Sequence, residues 1–237
     1  MSRFTIGFLA VAIFFLGAGC ATLSSQKKSD PGYWLTRACE PGEGIRQVKG
    51  SVWLKAQSQE ASGQFPASIA VTAPSTLQME VTNLVGGTEA LIQVNRDEYS
   101  IEIPGRKKSA PQSQKGYGSW GGIPLRWATD LFLGRIPCPP VESFKTLRPQ
   151  RIGEEGLKVE VPESLGLPSE GFEYHFRVWS GEAWPDSLVW TRGGSLPVRV
   201  EFKFEEPEDL TRSPKKWEAK SDQGEVKVRW RERNVSR

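Results

Sequence analysis

The chain has 237 residues with 31 basic and 28 acidic side chains, so it is close to neutral. It gathers no basic face with interleaved aromatics, which argues against a nucleic-acid partner. Nine Trp and eleven Phe are instead a large stock of apolar surface, and the length suits one domain behind a short leader.

A single Arg3 precedes an uncharged apolar run from Phe4 to Ala18, and small residues at Gly17, Ala18 and Gly19 lead to Cys20. This is the layout of a secretory signal with its cleavage site, and the run is shorter than the roughly 20 apolar residues of a transmembrane helix. The hexapeptide "FLGAGC" resembles the bacterial lipobox, with Leu16 one place earlier than the usual Leu. The resemblance implies that residues 1–19 are removed and that Cys20 becomes an acylated N-terminus, held to a membrane by several palmitate-type chains. Ala21, where an Asp would signal retention, implies export to the outer membrane and its periplasmic face.

The following "ATLSSQKKSDPG" offers little to bury, so residues 20–44 read as a lipidated terminus and flexible tether, and 45–237 as the folded domain. Two cysteines remain, Cys39 and Cys138. An oxidising compartment allows a bridge between them, and two separate thiols are the alternative, because spacing does not set connectivity.

From Val48 onward the dominant period is two. Val48, Val52 and Leu54 share a face, as do Ile69 and Val71, then Leu77, Met79 and Val81, then Ala90, Ile92 and Val94, then Tyr99, Ile101 and Ile103. Later runs alternate Phe172, Tyr174, Phe176 and Val178, then Val198, Val200, Phe202 and Phe204, then Val226, Val228 and Trp230, against charged neighbours. Nine to eleven such strands, apolar on one face only, predict a mainly β fold built on an antiparallel sheet with one wet side. Between the two groups, "PGRKKSAPQSQKGYGS" reads as a long loop, and "GGIPLRWATDLFLGRIP" reads as a short amphipathic helix that stops at Gly134. A strongly curved sheet with this helix across its mouth is the simplest assembly of these parts. Periodicity leaves open whether the space between them is filled or is an apolar cavity.

Residues with catalytic chemistry are few. His175 lies on the polar face of a strand between Glu173 and Arg177, with no second His, Cys cluster or acid at metal-ligand spacing. There is no GxSxG nucleophile motif, and the Gly pairs do not open a helix after a strand as a phosphate loop would. The sequence therefore reads as a non-enzyme that needs neither cofactor nor metal.

One short segment breaks the pattern. "VTNLVGGTE" should be a polar hairpin link, yet it carries Leu84 and Val85 between Asn83 and the turn-forming Gly86 and Gly87. The segment resembles the outer-membrane lipoprotein receptor family LolB, where Thr-Asn-Pro-Leu-Gly-Ser-Thr-Glu joins two strands. Thr82, Asn83, Gly86, Thr88 and Glu89 match, while Leu84, Val85 and Gly87 replace Pro, Leu and Ser. The helical segment is similar too, with Pro124, Leu125, Leu133, Gly134 and Pro137 in step. The resemblance implies a LolA/LolB-type half-barrel lidded by helices around a cavity. It further implies a monomer that accepts acylated lipoprotein cargo from a soluble LolA-like periplasmic carrier and releases it into the outer membrane. The family's exposed loop Leu, held to be needed for release, falls on Val85.

Leu84, Val85, Gly86 and Gly87 are thus the expected membrane-inserting loop. The cavity is expected to be lined by Val52, Leu54, Ile69, Val71, Leu77, Met79, Val81, Ile101 and Phe132, the same residues that a closed core would use. Two other readings stay open: a scaffold lipoprotein of the same fold with a filled interior or a carrier of another lipid, and, less favoured, an envelope hydrolase built around His175.

Overall fold

The computed structural model describes residues 30–58, 62–105, 110–120, 122–140, 143–163 and 168–237. The signal segment and Cys20 lie outside the described residues.

The fold begins earlier than composition suggests. Asp30 caps a helix, α1 (Pro31–Cys39), by accepting a hydrogen bond from the Gly32 N–H at 2.9 Å, and Pro31 fits the first turn, where no backbone donor is needed. Trp34, Leu35 and Ala38 form one buried stripe. The expected tether over 20–44 is therefore corrected from residue 31 onward: its few apolar residues fall at helical spacing and are packed into the core.

Among the described residues, fifteen strands follow. The first six are β1 (Gln47–Ser58), β2 (Ser62–Thr72), β3 (Thr76–Thr82), β4 (Thr88–Asn95), β5 (Glu98–Ile103) and β6 (Gln112–Tyr117). A two-strand ribbon, β7 (Ser119–Trp120) and β8 (Ile123–Pro124), leads into helix α2 (Leu125–Leu133). The remainder are β9 (Gln150–Ile152), β10 (Gly156–Val161), β11 (Glu170–Trp179), β12 (Glu182–Arg192), β13 (Val198–Pro207), β14 (Pro214–Lys220) and β15 (Gly224–Ser236). Thirteen of them make one antiparallel sheet in the order β6-β5-β4-β3-β2-β1-β15-β14-β13-β12-β11-β10-β9. The sheet does not close, because β6 and β9 are free edges. β1 lies between β2 and the C-terminal β15, so the first and last strands pair in the middle of the sheet.

The sheet bends around α2. The helix touches β2, and its Trp127 packs edge-to-face on Phe172 of β11, six strands away. Six spacings amount to roughly 29 Å along a sheet, whereas nine helical residues span about 14 Å. A flat sheet could not offer both surfaces to so short a helix. Phe132, at the other end of α2, packs on Trp217 and Trp230 with ring centroids 5.2 and 6.3 Å away.

Several expectations change at this level. The sheet holds more strands than nine to eleven, and part of the presumed loop, Gln112–Tyr117, is the edge strand β6. Val178 is 74 % exposed although it continues the alternation of Phe172, Tyr174 and Phe176. The β11–β12 register shifts between His175 and Phe176, where β12 carries the extra residue Asp186, and the buried positions of β11 end at Phe176.

Cys39 and Cys138 are joined in a disulfide, with Cα atoms 5.8 Å apart and a sequence separation of 99. It fastens the end of α1 to the segment after α2, where the buried Tyr174 hydroxyl donates to the Pro137 carbonyl at 2.8 Å. Closing a loop of that length stabilises by nominally about 4.7 kcal/mol in the chain-entropy picture. Reducing the bridge, or a Cys39→Ser substitution, is expected to lower Tm by many degrees in a thermal melt and to loosen α1 first.

Candidate functional site: an apolar tip beside an apolar cavity

The β3–β4 hairpin tip is built around one side chain. The Asn83 carboxamide oxygen accepts from the N–H groups of Val85 (3.1 Å) and Gly87 (2.8 Å), and its Nδ2 donates to Glu89 Oε1 (2.9 Å). The Asn83 backbone closes the same loop, its N–H donating to the Gly87 carbonyl and its carbonyl accepting from Gly86. Gly86 has φ +86, and a Cβ on Gly87 would stand 2.9 Å from Asn83 Nδ2, so both positions favour glycine. With the polar groups of the turn satisfied by Asn83, Leu84 and Val85 point outward, 80 % and 92 % exposed.

A cavity of about 300 Å³ opens at the same end of the sheet. Its floor is Leu54 and Ala56 of β1, Met79 of β3, Trp217 of β14 and Val226 of β15, and its roof is Ala128, Leu131 and Phe132 of α2 with Ile123. Gln57, Ser58, Gln223 and Glu225 stand at its rim, where β1 ends and β14 turns into β15. The interior is thus apolar and the rim polar. Glu225 is held ionised below its ordinary range by the hydrogen bond from Lys227, whose ammonium is 2.6 Å away. The volume is at the lower end of the range for small-ligand pockets.

Of the nine residues expected to line this space, Leu54, Met79 and Phe132 do so. Val52, Ile69, Val71, Leu77 and Val81 are buried in the closed part of the core, each no more than 6 % exposed. Ile101 is only half-buried on β5, beside the edge strand. Alternation identifies the inward face, but the position of the helix decides which part of that face remains uncovered. Ala56, Ile123, Ala128, Leu131, Trp217 and Val226 were missed as lining residues, although Val226 is in an inward set and the Trp217–Ala219 alternation was there to be read.

The lid is fixed at its C-terminus. Gly134 takes φ +83, its N–H returns to the Asp130 and Leu131 carbonyls, and the buried Arg233 guanidinium donates to the Leu133 carbonyl at 3.0 Å while pairing with Glu208 at 3.0 Å. A cation at that helix end is electrostatically favourable. Burial lowers the Arg233 pKa from its ordinary value, and it raises that of Asp130, which faces Arg135 at 3.4 Å.

His175 is on the outer face of β11, half exposed and 3.5 Å from Glu173, away from the cavity. Among the described residues no group of three His, Cys, Asp or Glu side chains is arranged to hold a metal ion, and no helix is long and apolar enough to cross a membrane.

No protein-family model matches the chain, and no curated protein sequence matches it. Among solved structures, it is similar to a LolA superfamily protein from Nitrosomonas europaea, with a TM-score of 0.49, 10 % identity, and coverage of 86 % of this chain and 92 % of that one. A DUF1329 family protein from Desulfovibrio piger gives 0.47 at 7 % identity, covering 90 % and 92 %. The Mycobacterium tuberculosis lipoprotein LppX gives 0.31 at 12 % identity, covering 91 % and 100 %. At such values the functional reading rests on this chain's own residues.

Proposed function

We propose that the protein is a lipid-anchored protein of the bacterial outer membrane, on its periplasmic face, which takes acyl chains of lipoproteins from a soluble LolA-like carrier into the cavity and passes them to the bilayer. The observation that carries this reading is the pairing of a polar-rimmed apolar cavity with an apolar tip, 92 % exposed at Val85, at one end of the sheet. A cavity alone would suit a store, and a tip alone an anchor. With both at one end of the sheet, a bilayer met by the tip would lie against the cavity mouth. Exposing a chain to water is unfavourable by about 0.8 kcal/mol per CH₂, and a mouth held against the bilayer avoids that. Exchange between apolar sites then needs no fuel.

The test fills the cavity. The protein, held on liposomes by its own N-terminus, is mixed with a carrier loaded with labelled acylated lipoprotein, and the label it takes up is measured. Ala128→Phe puts a ring into the roof without touching the tip, and it is expected to reduce uptake at least tenfold with Tm nearly unchanged. Uptake by Ala128→Phe equal to the parent's would remove the cavity from the mechanism. Absence of uptake by the parent itself would favour a scaffold role or another lipid cargo.

A further inference from the structure

A second hairpin at the same end carries an exposed apolar residue. The β12–β13 link, Gly193-Gly194-Ser195-Leu196-Pro197, holds Leu196 at 82 % exposure. The Gly193 N–H donates to the Ser169 carbonyl at 2.9 Å, and Gly194 takes φ +114, so the link is tied to the neighbouring chain segment and turned by glycine. Neither this link nor the Asn83–Gly87 turn contains a charge. At the base of the link, the Arg192 guanidinium lies over the Trp190 ring and Arg199 is paired with Glu201.

The register places the two tips relative to the cavity. Strands β2, β1, β15 and β14 separate the β3–β4 hairpin from the β13–β12 hairpin. The cavity floor comes from β1, β15 and β14 between the hairpins and from β3 at one flank. From β3 to β13 is roughly 24 Å along the sheet at the usual strand spacing, and less across its curved mouth. The exposed tips therefore straddle the opening.

We propose that Leu196 is a second bilayer-contacting residue, so that the protein meets the membrane on two apolar points with the cavity mouth between them. This rests on the reading of Leu84 and Val85 as a bilayer contact. The occupant assigned to Leu196 is the lipid bilayer, for three reasons found in the fold. An uncharged, glycine-turned tip with one exposed Leu can enter a dry phase that offers no complementary pocket, and burying that side chain is favourable. Whatever covers both tips also covers the mouth, which is where cargo must leave. The comparison with Leu210 is informative: it is 90 % exposed on the β13–β14 link at the opposite end of the sheet, but it stands among Glu208, Asp209 and Arg212. Two contacts also orient the protein, since one tip would leave it free to rotate and would expose the mouth to water.

The test uses the full lipid-anchored chain on liposomes, with the Cys39–Cys138 bridge intact and one added cysteine carrying a nitroxide: Val85→Cys, Leu196→Cys or Leu210→Cys. Collision of each label with oxygen, which concentrates in the bilayer, is compared with collision with a water-soluble nickel chelate. The expected result is oxygen-dominated relaxation at 85 and 196 and nickel-dominated relaxation at 210. In the transfer assay, Leu196→Ser is expected to slow delivery roughly tenfold, the partition lost with one buried Leu side chain. A label at 196 that stays nickel-accessible while that at 85 is lipid-protected would overturn the second contact alone. Nickel-dominated relaxation at both would overturn the underlying reading as well. Protection at 196 only when the carrier is added would assign the tip to a protein partner.

Discussion

A Val85→Glu substitution is expected to leave uptake of acylated cargo intact and to reduce its delivery into liposomes by roughly tenfold to a hundredfold. The lower figure follows from the apolar burial given up by one side chain, roughly 1.5–3 kcal/mol for Val or Leu. A carboxylate facing the bilayer adds its own desolvation penalty. Uptake should survive because Val85 is not among the cavity residues and is 92 % exposed, while the turn is held by Asn83, whose hydrogen bonds involve backbone groups and Glu89. Val85→Leu enlarges the apolar tip and should accelerate delivery. The readout is the rate at which labelled cargo leaves the protein for liposomes, measured after loading is complete.

The second large effect is expected at Gly134. A Cβ there would stand 2.0 Å from Arg233 Nη2 and 2.6 Å from Ser213 Oγ, in a backbone conformation that L residues adopt at some cost. The left-handed conformation costs roughly 1–2 kcal/mol, and overpacking typically adds 1–3 kcal/mol. Gly134→Ala is therefore expected to destabilise the protein by roughly 2–5 kcal/mol, a large part of the stability of an ordinary domain. The damage is local in origin: displacing Arg233 removes the cation from the end of α2 and lets the cavity roof move. Denaturant unfolding of the variant checks the stability change. Acyl uptake checks its consequence, and it should fall even under conditions where the protein remains folded.

The sequence showed some of this directly. Leu84 and Val85 stood out because a hairpin link has no use for two apolar residues unless they meet something dry, and Gly134 stood out because glycine after an amphipathic run ends a helix. The Asn83 turn that forces both side chains outward was legible only as a turn former, since its role depends on three hydrogen bonds closing at once. α1 was hidden by composition: "PGYWLTRAC" follows a polar, Ser- and Lys-rich stretch, and its Asp-Pro start was read as part of the tether. Val178 continues the alternation of β11 yet is exposed one residue before the strand's end, and how far along a strand its cover extends is not carried by that strand's periodicity. The cavity was the least legible feature. Val52 and Leu54 look alike in sequence, yet one is sealed in the core and the other lines the opening, because the placement of nine helical residues across a curved sheet decides which is covered.

The most direct measurement of the central claim is a photo-crosslink. Acylated lipoprotein bearing a diazirine near the end of one acyl chain is transferred from its carrier to the lipid-anchored protein, irradiated, and the adducts are mapped by mass spectrometry. Adducts on Met79, Phe132, Trp217 and their neighbours in the cavity, reduced in Ala128→Phe, are the expected result. Cargo that associates but labels only outward-facing residues, or labels the cavity no less when Ala128→Phe fills it, would contradict the claim that the acyl chain is carried inside the sheet.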